Sequence, residues 1–456
     1  MFRSNLFIFI FIIMFMSFLN ACGGGGGNES VTTSPSSSVP TATSCVNPHS
    51  SDYPDEYLGQ FELPSPRGEL ASHIVRGISF KDYSPSWIYE GLLPPYRGDC
   101  SKDEYIKLMY VEALKAMQAS GVQRAWVYNF GDWNNNQEPW VVRLADYHIP
   151  QKYVEYIVEQ AGLLGIDIYF AWQFTQTNIN RQVIVELGEQ VTMAKLKSIL
   201  DAHHNNMLTQ ATYAQEIGIK GIAADWNAMN INLSTDQLKD YYIERFAEII
   251  DDIRANFDGE IVWGQIGYVF NDERIFSRVD SILVNAMNAG GSTQFTQEEN
   301  ANLTPELIKE KTLTSLENMR TQIYCLDIHQ PCWHGKSDIE LPVILNIQVQ
   351  SREDFFLTGW KEDGFCTNAT LENGTVDPCI QESFVTDFSV QAIGIEGIMQ
   401  ALADQDSFEI GSVDINTGYW LSDTLTPSSE GFPNISQSVR GKPAESVVKY
   451  WYTGNN

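Results

Sequence analysis

The residue best placed to do chemistry is Asp225, which follows the apolar run Gly221-Ile222-Ala223-Ala224 and precedes Trp226-Asn227. A carboxylate directly after a short apolar strand stands at the open end of that strand, where partial burial raises its pKa or ties it to a partner. The same company of aromatic and polar side chains recurs along the chain. Asn129-Phe130-Gly131-Asp132-Trp133, Ala171-Trp172-Gln173 and Trp263-Gly264-Gln265 each set tryptophan near Asp, Asn or Gln, and Gln348-Val349-Gln350-Ser351-Arg352-Glu353-Asp354 adds a polar run. Tryptophan faces stack on the C–H faces of a sugar, while amides and carboxylates bind its hydroxyls. A single tryptophan is more readily explained by core packing; several of them beside polar groups argue for a glycan surface.

Cleaving a glycosidic bond takes two carboxylates, one protonating the leaving oxygen and one acting as nucleophile or base, about 5–5.5 Å apart for retention and about 6.5–9.5 Å for inversion. Asp225 is the leading candidate, with Glu353 or Asp132 as the second carboxylate; Asp82, Asp354 and Asp404 are further acids at expected strand ends. The expected sugar contacts are Trp133, Trp172, Gln173, Trp226, Asn227, Trp263, Gln348, Gln350 and Asp404. The plain alternative for Asp225 is a structural acid bonding barrel loops. Other chemistries find no motif: there is no GxSxG elbow, HExxH, Walker loop or HxH pair. His203-His204 lies in a helical stretch and reads as surface or core. No metal and no cofactor is implied.

Positioning such residues requires a repeating frame. From about His73 the chain alternates short β-rich runs with longer helical patterns. Candidate strands are Val75–Phe80, Arg124–Phe130, Asp167–Trp172, Gly221–Asp225, Glu260–Ile266, Ser281–Ala286, Pro342–Val349 and Ile395–Gln400. Between them lie amphipathic stretches such as Tyr105–Ser120, Gln151–Leu164, Met193–Ile217 and Thr235–Asn256. Strand then helix, repeated without turn-linked hairpins, indicates parallel βα units, and about eight of them indicate an α/β fold of the (β/α)8 TIM-barrel type. No GxGxxG follows the first strand, so a dinucleotide-binding sheet has no support. In such barrels the chemistry lies at the C-terminal ends of the strands, where the aromatic and polar groups above are expected.

The N-terminus asks for a different reading. Arg3 and the apolar run Leu6–Leu19 match a signal-peptide core and are too short for a comfortable membrane span. Leu19-Asn20-Ala21-Cys22 resembles the lipobox read by the lipoprotein signal peptidase, which implies cleavage after residue 21 and lipidation of Cys22. Gly23–Gly27 and the Ser/Thr/Pro-rich residues beyond form a flexible tether over 22–50, leaving 51–456 for the barrel. Gly rather than Asp after Cys22 resembles lipoproteins sorted to the outer membrane, at the cell surface or on the periplasmic face. Of seven cysteines, six remain once Cys22 is set aside: Cys45, Cys100, Cys325, Cys332, Cys366 and Cys379. An even remainder in an oxidising compartment reads as disulfides, with local loops Cys325–Cys332 and Cys366–Cys379 and a Cys45–Cys100 staple. A formal charge of −29 with 19% charged residues fits a folded acidic chain that repels nucleic acid. A monomer is expected.

The layout resembles the clan of retaining (β/α)8 glycoside hydrolases, and most of all the family 113 endo-β-mannanases. Three stretches carry the resemblance. Tyr213-Ala214-Gln215-Glu216-Ile217-Gly218-Ile219-Lys220-Gly221-Ile222 is similar to the helix leading into strand four, and Leu341-Pro342-Val343-Ile344-Leu345 to strand seven. Ser438-Val439-Arg440-Gly441-Lys442-Pro443-Ala444-Glu445 with Lys449-Tyr450-Trp451-Tyr452 is similar to the closing segment before the last helix. The resemblance implies one catalytic Glu at the end of strand four and another at the end of strand seven. Here those places read Asp225-Trp226-Asn227 and Ile347-Gln348, so the standard pair does not carry over, nor does mannan as substrate. Two expectations follow: an anchored glycoside hydrolase acting on extracellular or periplasmic polysaccharide, or a lipoprotein that binds polysaccharide or oligosaccharide on a barrel without catalysis.

Overall fold

A computed structural model describes residues 68–81, 101–133, 142–144, 149–174, 192–224, 233, 235–265, 272–288, 295–323, 339–359, 385–406, 409–420 and 436–454. All lie in the second of the two units into which the chain divides, Ser44–Asn456. The strands are β1 (Val75–Lys81), β2 (Arg124–Trp133), β3 (Val142–Leu144), β4 (Asp167–Phe174), β5 (Gly221–Ala223), β6 (Glu260–Gln265), β7 (Ser281–Asn288), β8 (Val343–Gln348) and β9 (Ile410–Trp420). They follow the order β1-β9-β8-β7-β6-β5-β4-β2-β3, and β1 also pairs with β2. That pairing closes eight parallel strands into a barrel, with β3 added antiparallel to the end of β2. The fold is a (β/α)8 barrel, as the alternating pattern implies.

The helices that cover it form where local signals ask for them. Helix α1 (Lys102–Ala119) starts at a capping box in which Ser101 and Glu104 satisfy each other's backbone N–H. Helix α2 (Gln151–Leu163) follows. Helix α3 (Met193–Ile217) begins at the Thr192 cap and ends at Gly218, whose φ of 84° is the left-handed turn that favours glycine. Helix α4 (Asp236–Asn256) starts at the Thr235 cap. Short helices α5 (Glu273–Phe276), α6 (Gln297–Ala301) and α8 (Phe355–Thr358) accompany the longer α7 (Pro305–Ile323), α9 (Phe388–Asp404) and α10 (Pro443–Thr453). Among the described residues no helix is long and apolar enough to cross a membrane.

Seven of the expected strands fall within a few residues of observed ones; the eighth does not. Ile395–Gln400 lies inside α9, and the last barrel strand is β9. The reason is burial: α9 is covered on nearly all sides, including Val390, Ala392, Ile395, Ile398, Met399 and Leu402. A helix buried all round shows no amphipathic period and imitates a strand. Gly397 lets it pack tightly, since a Cβ there would stand 2.5 Å from Ile308 of α7. The hairpin-like addition of β3 is a second departure from the expected plan. The three stretches that carry the family resemblance fall at the α3–β5 junction, at the entry to β8 and at the start of α10.

Candidate active site

Side chains alternate between the barrel interior and the helical shell along every strand. Arg124, Trp126 and Tyr128 of β2 point inward, and the register Trp126↔Tyr169 carries that parity to β4. Near the N-terminal ends of the strands the interior holds charge. Arg124 and Asp414 form an ion pair at 3.0 Å and are only 3% and 1% exposed. The Trp126 indole N–H and the Ser412 hydroxyl also donate to Asp414, at 3.0 and 3.1 Å. The Arg124 guanidinium lies 4.7 Å above the Tyr169 ring, whose hydroxyl donates to Glu260 at 2.6 Å; Ser281 bonds the other Glu260 oxygen. Burial opposes the charge on Arg124, yet Asp414, Tyr169 and Glu260 hold its pKa above the ordinary value. Burial pushes the Tyr169 phenol up, reinforced by Glu260. Two glycines make the network possible: a Cβ at Gly77 would lie 1.2 Å from Asp414 Oδ1, and one at Gly221 would lie 2.1 Å from the Tyr169 ring.

Toward the C-terminal ends the described inward side chains of β8, β9 and β1 are polar and uncharged. Gln348 ends β8 and is 9% exposed. Asn416 of β9, two residues beyond Asp414, is half-buried and accepts a hydrogen bond from the Ser79 hydroxyl at 3.3 Å. The end of β5 is held by the neighbouring strand β6 and, from outside the barrel, by α3. The Ala224 N–H donates to the Val262 carbonyl at 2.9 Å, and its own carbonyl lies 3.3 Å from His203 Nε2 of α3. A carbonyl only accepts, so the proton sits on Nε2. Burial lowers the His203 pKa to about 3, which keeps the ring neutral. His203 is thus a core residue, packed on Phe246, as its helical setting suggested. His204 lies between Arg245 and Asp252. Among the described residues no group of three His, Cys, Asp or Glu could hold a metal ion.

The segment after β8 is clamped. Gln391 Nε2 donates to the carbonyls of Val349 and Gln437 at 2.9 and 3.0 Å. The buried Lys442 ammonium donates to Ser351 Oγ at 2.8 Å and to the Ser436 carbonyl at 3.0 Å. Arg352, also buried, donates to Asp354 at 2.8 Å and to the Gly359 carbonyl at 2.6 Å. The Gln391 and Lys442 bonds tie the end of β8 to the segment that begins α10, a role for Gly441-Lys442-Pro443-Ala444 that its sequence did not disclose.

The expected site residues divide accordingly. Gln348 lies at the barrel mouth. Glu353 follows β8 with its backbone fixed by Val385 and Asn300 and its side chain exposed. Gln350, within the clamped segment, is buried and belongs to the wall and not to an open surface. Trp263 is a correction: it is fully buried, and its ring meets Phe246 of α4 at 5.2 Å, because its parity on β6 is opposite to that of Glu260. Asp404 is another: it ends α9 and pairs with Lys309 of α7, and helices antiparallel to the strands end at the face opposite the mouth. Asp132 and Trp133 belong to the β2–β3 pairing, and Trp172 and Gln173 to the end of β4, but their side chains lie outside the described residues. Asp82, Asp225, Trp226, Asn227 and all seven cysteines also lie outside them. Sequence reasoning missed Asn416, Ser79 and the Arg124–Asp414 network. The available signal was the alternation of polar residues through Ser412, Asp414 and Asn416.

No protein-family model matches the chain, and no curated protein matches it. Solved structures do. A GH113 β-1,4-mannanase is similar at TM-score 0.55 and 13% identity, over 84% of this chain and 99% of that one. A complex of a GH113 β-1,4-mannanase is similar at TM-score 0.52 and 13% identity, over 85% and 100%. The GH113 β-mannanase AaManA from Alicyclobacillus acidocaldarius, in complex with ManMIm, is similar at TM-score 0.51 and 12% identity, over 85% and 98%. At these identities the likeness shows a shared fold: the chain has the (β/α)8 barrel of these glycoside hydrolases.

Proposed function

We propose that this protein is a glycoside hydrolase acting on an extracellular or periplasmic polysaccharide, with Asp225 as its leading catalytic carboxylate. The supporting observation is the match of the whole barrel to GH113 mannanases, with the Ala224 backbone anchored by Val262 and His203 immediately before Asp225. In such a reaction one carboxyl group protonates the departing glycosidic oxygen while the other attacks the anomeric carbon or takes a proton from water. Gln348 ends β8, and an amide does neither. The second carboxylate is therefore sought in Glu353 or Asp132. Gln348 also favours a second reading, a barrel that binds glycans without cleaving them.

Reducing-end release from a panel of polysaccharides, measured beside affinity, separates the two readings. The hydrolase reading expects turnover by the parent and a loss of several orders of magnitude in Asp225→Asn with affinity kept, because the change removes the ionisable group and keeps the shape. Binding without any turnover selects the second reading. Cys22 is proposed to carry a lipid anchor to the outer membrane, supported by the lipobox-like stretch and the tether. Cys22→Ser is expected to leave the membrane fraction, and a variant that still sediments with membranes contradicts the anchor.

A further inference from the structure

We infer that Asn416 and Gln348, with Ser79 buried behind Asn416, form the floor of a subsite that takes an uncharged sugar ring through its hydroxyls. The inference rests on the glycan reading above and adds the residues and the charge class. Ile347 of β8 and Ile78 of β1 are both register partners of Ile415 of β9. Gln348, Asn416 and Ser79 each follow one of these isoleucines, so three adjacent strands bring an amide, an amide and a hydroxyl together on one wall. All three point inward. Ser79 shares the parity of Gly77, over which the Asp414 side chain lies, and its hydroxyl reaches Asn416. On β9 the exposure changes abruptly: Asp414 and Ile415 are sealed, whereas Asn416 is half-buried. It is the first inward side chain on that strand, counted from the charged end, that solvent reaches.

The backbone singles out the same place. The β1–β9 register advances from Ile78↔Ile415 to Phe80↔Tyr419, so β9 carries two extra residues between these pairs. Bulges of this kind re-aim side chains beside active sites. The Asn416 carbonyl oxygen is held by Ser79. That bond uses the carboxamide oxygen as acceptor, so the donor that Asn416 can offer a ligand is its N–H2 group. Neutral amides and hydroxyls both give and accept hydrogen bonds, which suits sugar hydroxyls. A uronate ring would bring its carboxylate to a wall of neutral groups on a chain of formal charge −29, which repels it.

The test measures affinity of the parent, Asn416→Asp and Asn416→Ala for neutral gluco-, manno-, xylo- and galacto-configured oligosaccharides and for oligogalacturonate. The parent should bind a neutral oligomer and not the uronate. Asn416→Asp keeps the shape, loses the donor, and should weaken neutral-sugar binding about ten-fold at pH 7. It should regain affinity as the pH falls through about 4, where the new carboxyl protonates and donates again. A merely structural effect would not follow that titration. Asn416→Ala should lose about three- to ten-fold with no such recovery. Neutral-sugar binding that neither variant changes by two-fold, or a parent that prefers oligogalacturonate, overturns the inference while the glycan reading stands. A parent that binds nothing on the panel overturns both.

Discussion

One strand, β9, serves two opposite regions of the barrel interior. At Asp414 it contributes a charge that is closed off from solvent and surrounded by fixed donors from Arg124, Trp126 and Ser412. Two residues later, at Asn416, it contributes a neutral amide within reach of solvent. The lower region uses its polar groups on one another; the upper region leaves polar groups that a ligand can engage. Among the described residues, charge inside the barrel is sealed at its base, and neutral polar groups stand nearer its mouth.

The largest expected effect comes from breaking the lower region. Arg124→Met leaves Asp414 buried without its cation and should cost about 3–5 kcal/mol in urea unfolding. The paired change Arg124→Met/Asp414→Leu should recover most of that loss, since a buried pair is often replaceable by apolar groups of similar volume. Glycan affinity of the folded variants should stay near the parent's. Loss of affinity out of proportion to stability would erase the division between the two regions.

A smaller effect sharpens the boundary between them. His203 is neutral in the folded chain with its pKa lowered to about 3, against about 6.5 when unfolded. Between these values the unfolded chain binds the extra proton, so stability present above about pH 6.5 is lost as the pH falls toward 3. At pH 5 the loss should be about 2 kcal/mol. His203→Gln keeps a donor for the Ala224 carbonyl and should flatten this part of the profile. An unchanged slope between pH 6.5 and 5 would show that His203 is not the group responsible.

How much of this was legible in the sequence depends on the environment each element meets. Helix α3 was readable to its ends because Thr192 caps it, Gly218 stops it and its apolar face has a clear period. Strands β1 to β8, apart from β3, were readable as apolar runs between those helices. Helix α9 was not, because burial on all sides erased the contrast between its faces. β9 was hidden for the converse reason: Ser412, Asp414 and Asn416 break up its apolar run, although a barrel interior with its own ion pair welcomes polar residues at every second place. The site was legible in kind and less so in membership. Trp263 carried the same local signature as a sugar platform, and only strand parity shows that it faces Phe246.

A glycan should enter at the mouth of the barrel and not at its charged base. A crystal structure of Asp225→Asn with a bound oligosaccharide tests this most directly. The sugar should lie at the C-terminal end of the barrel, with ring hydroxyls about 2.7–3.2 Å from the side chains of Asn416 and Gln348. An oligosaccharide bound elsewhere, or held at the mouth without touching either amide, would contradict the account.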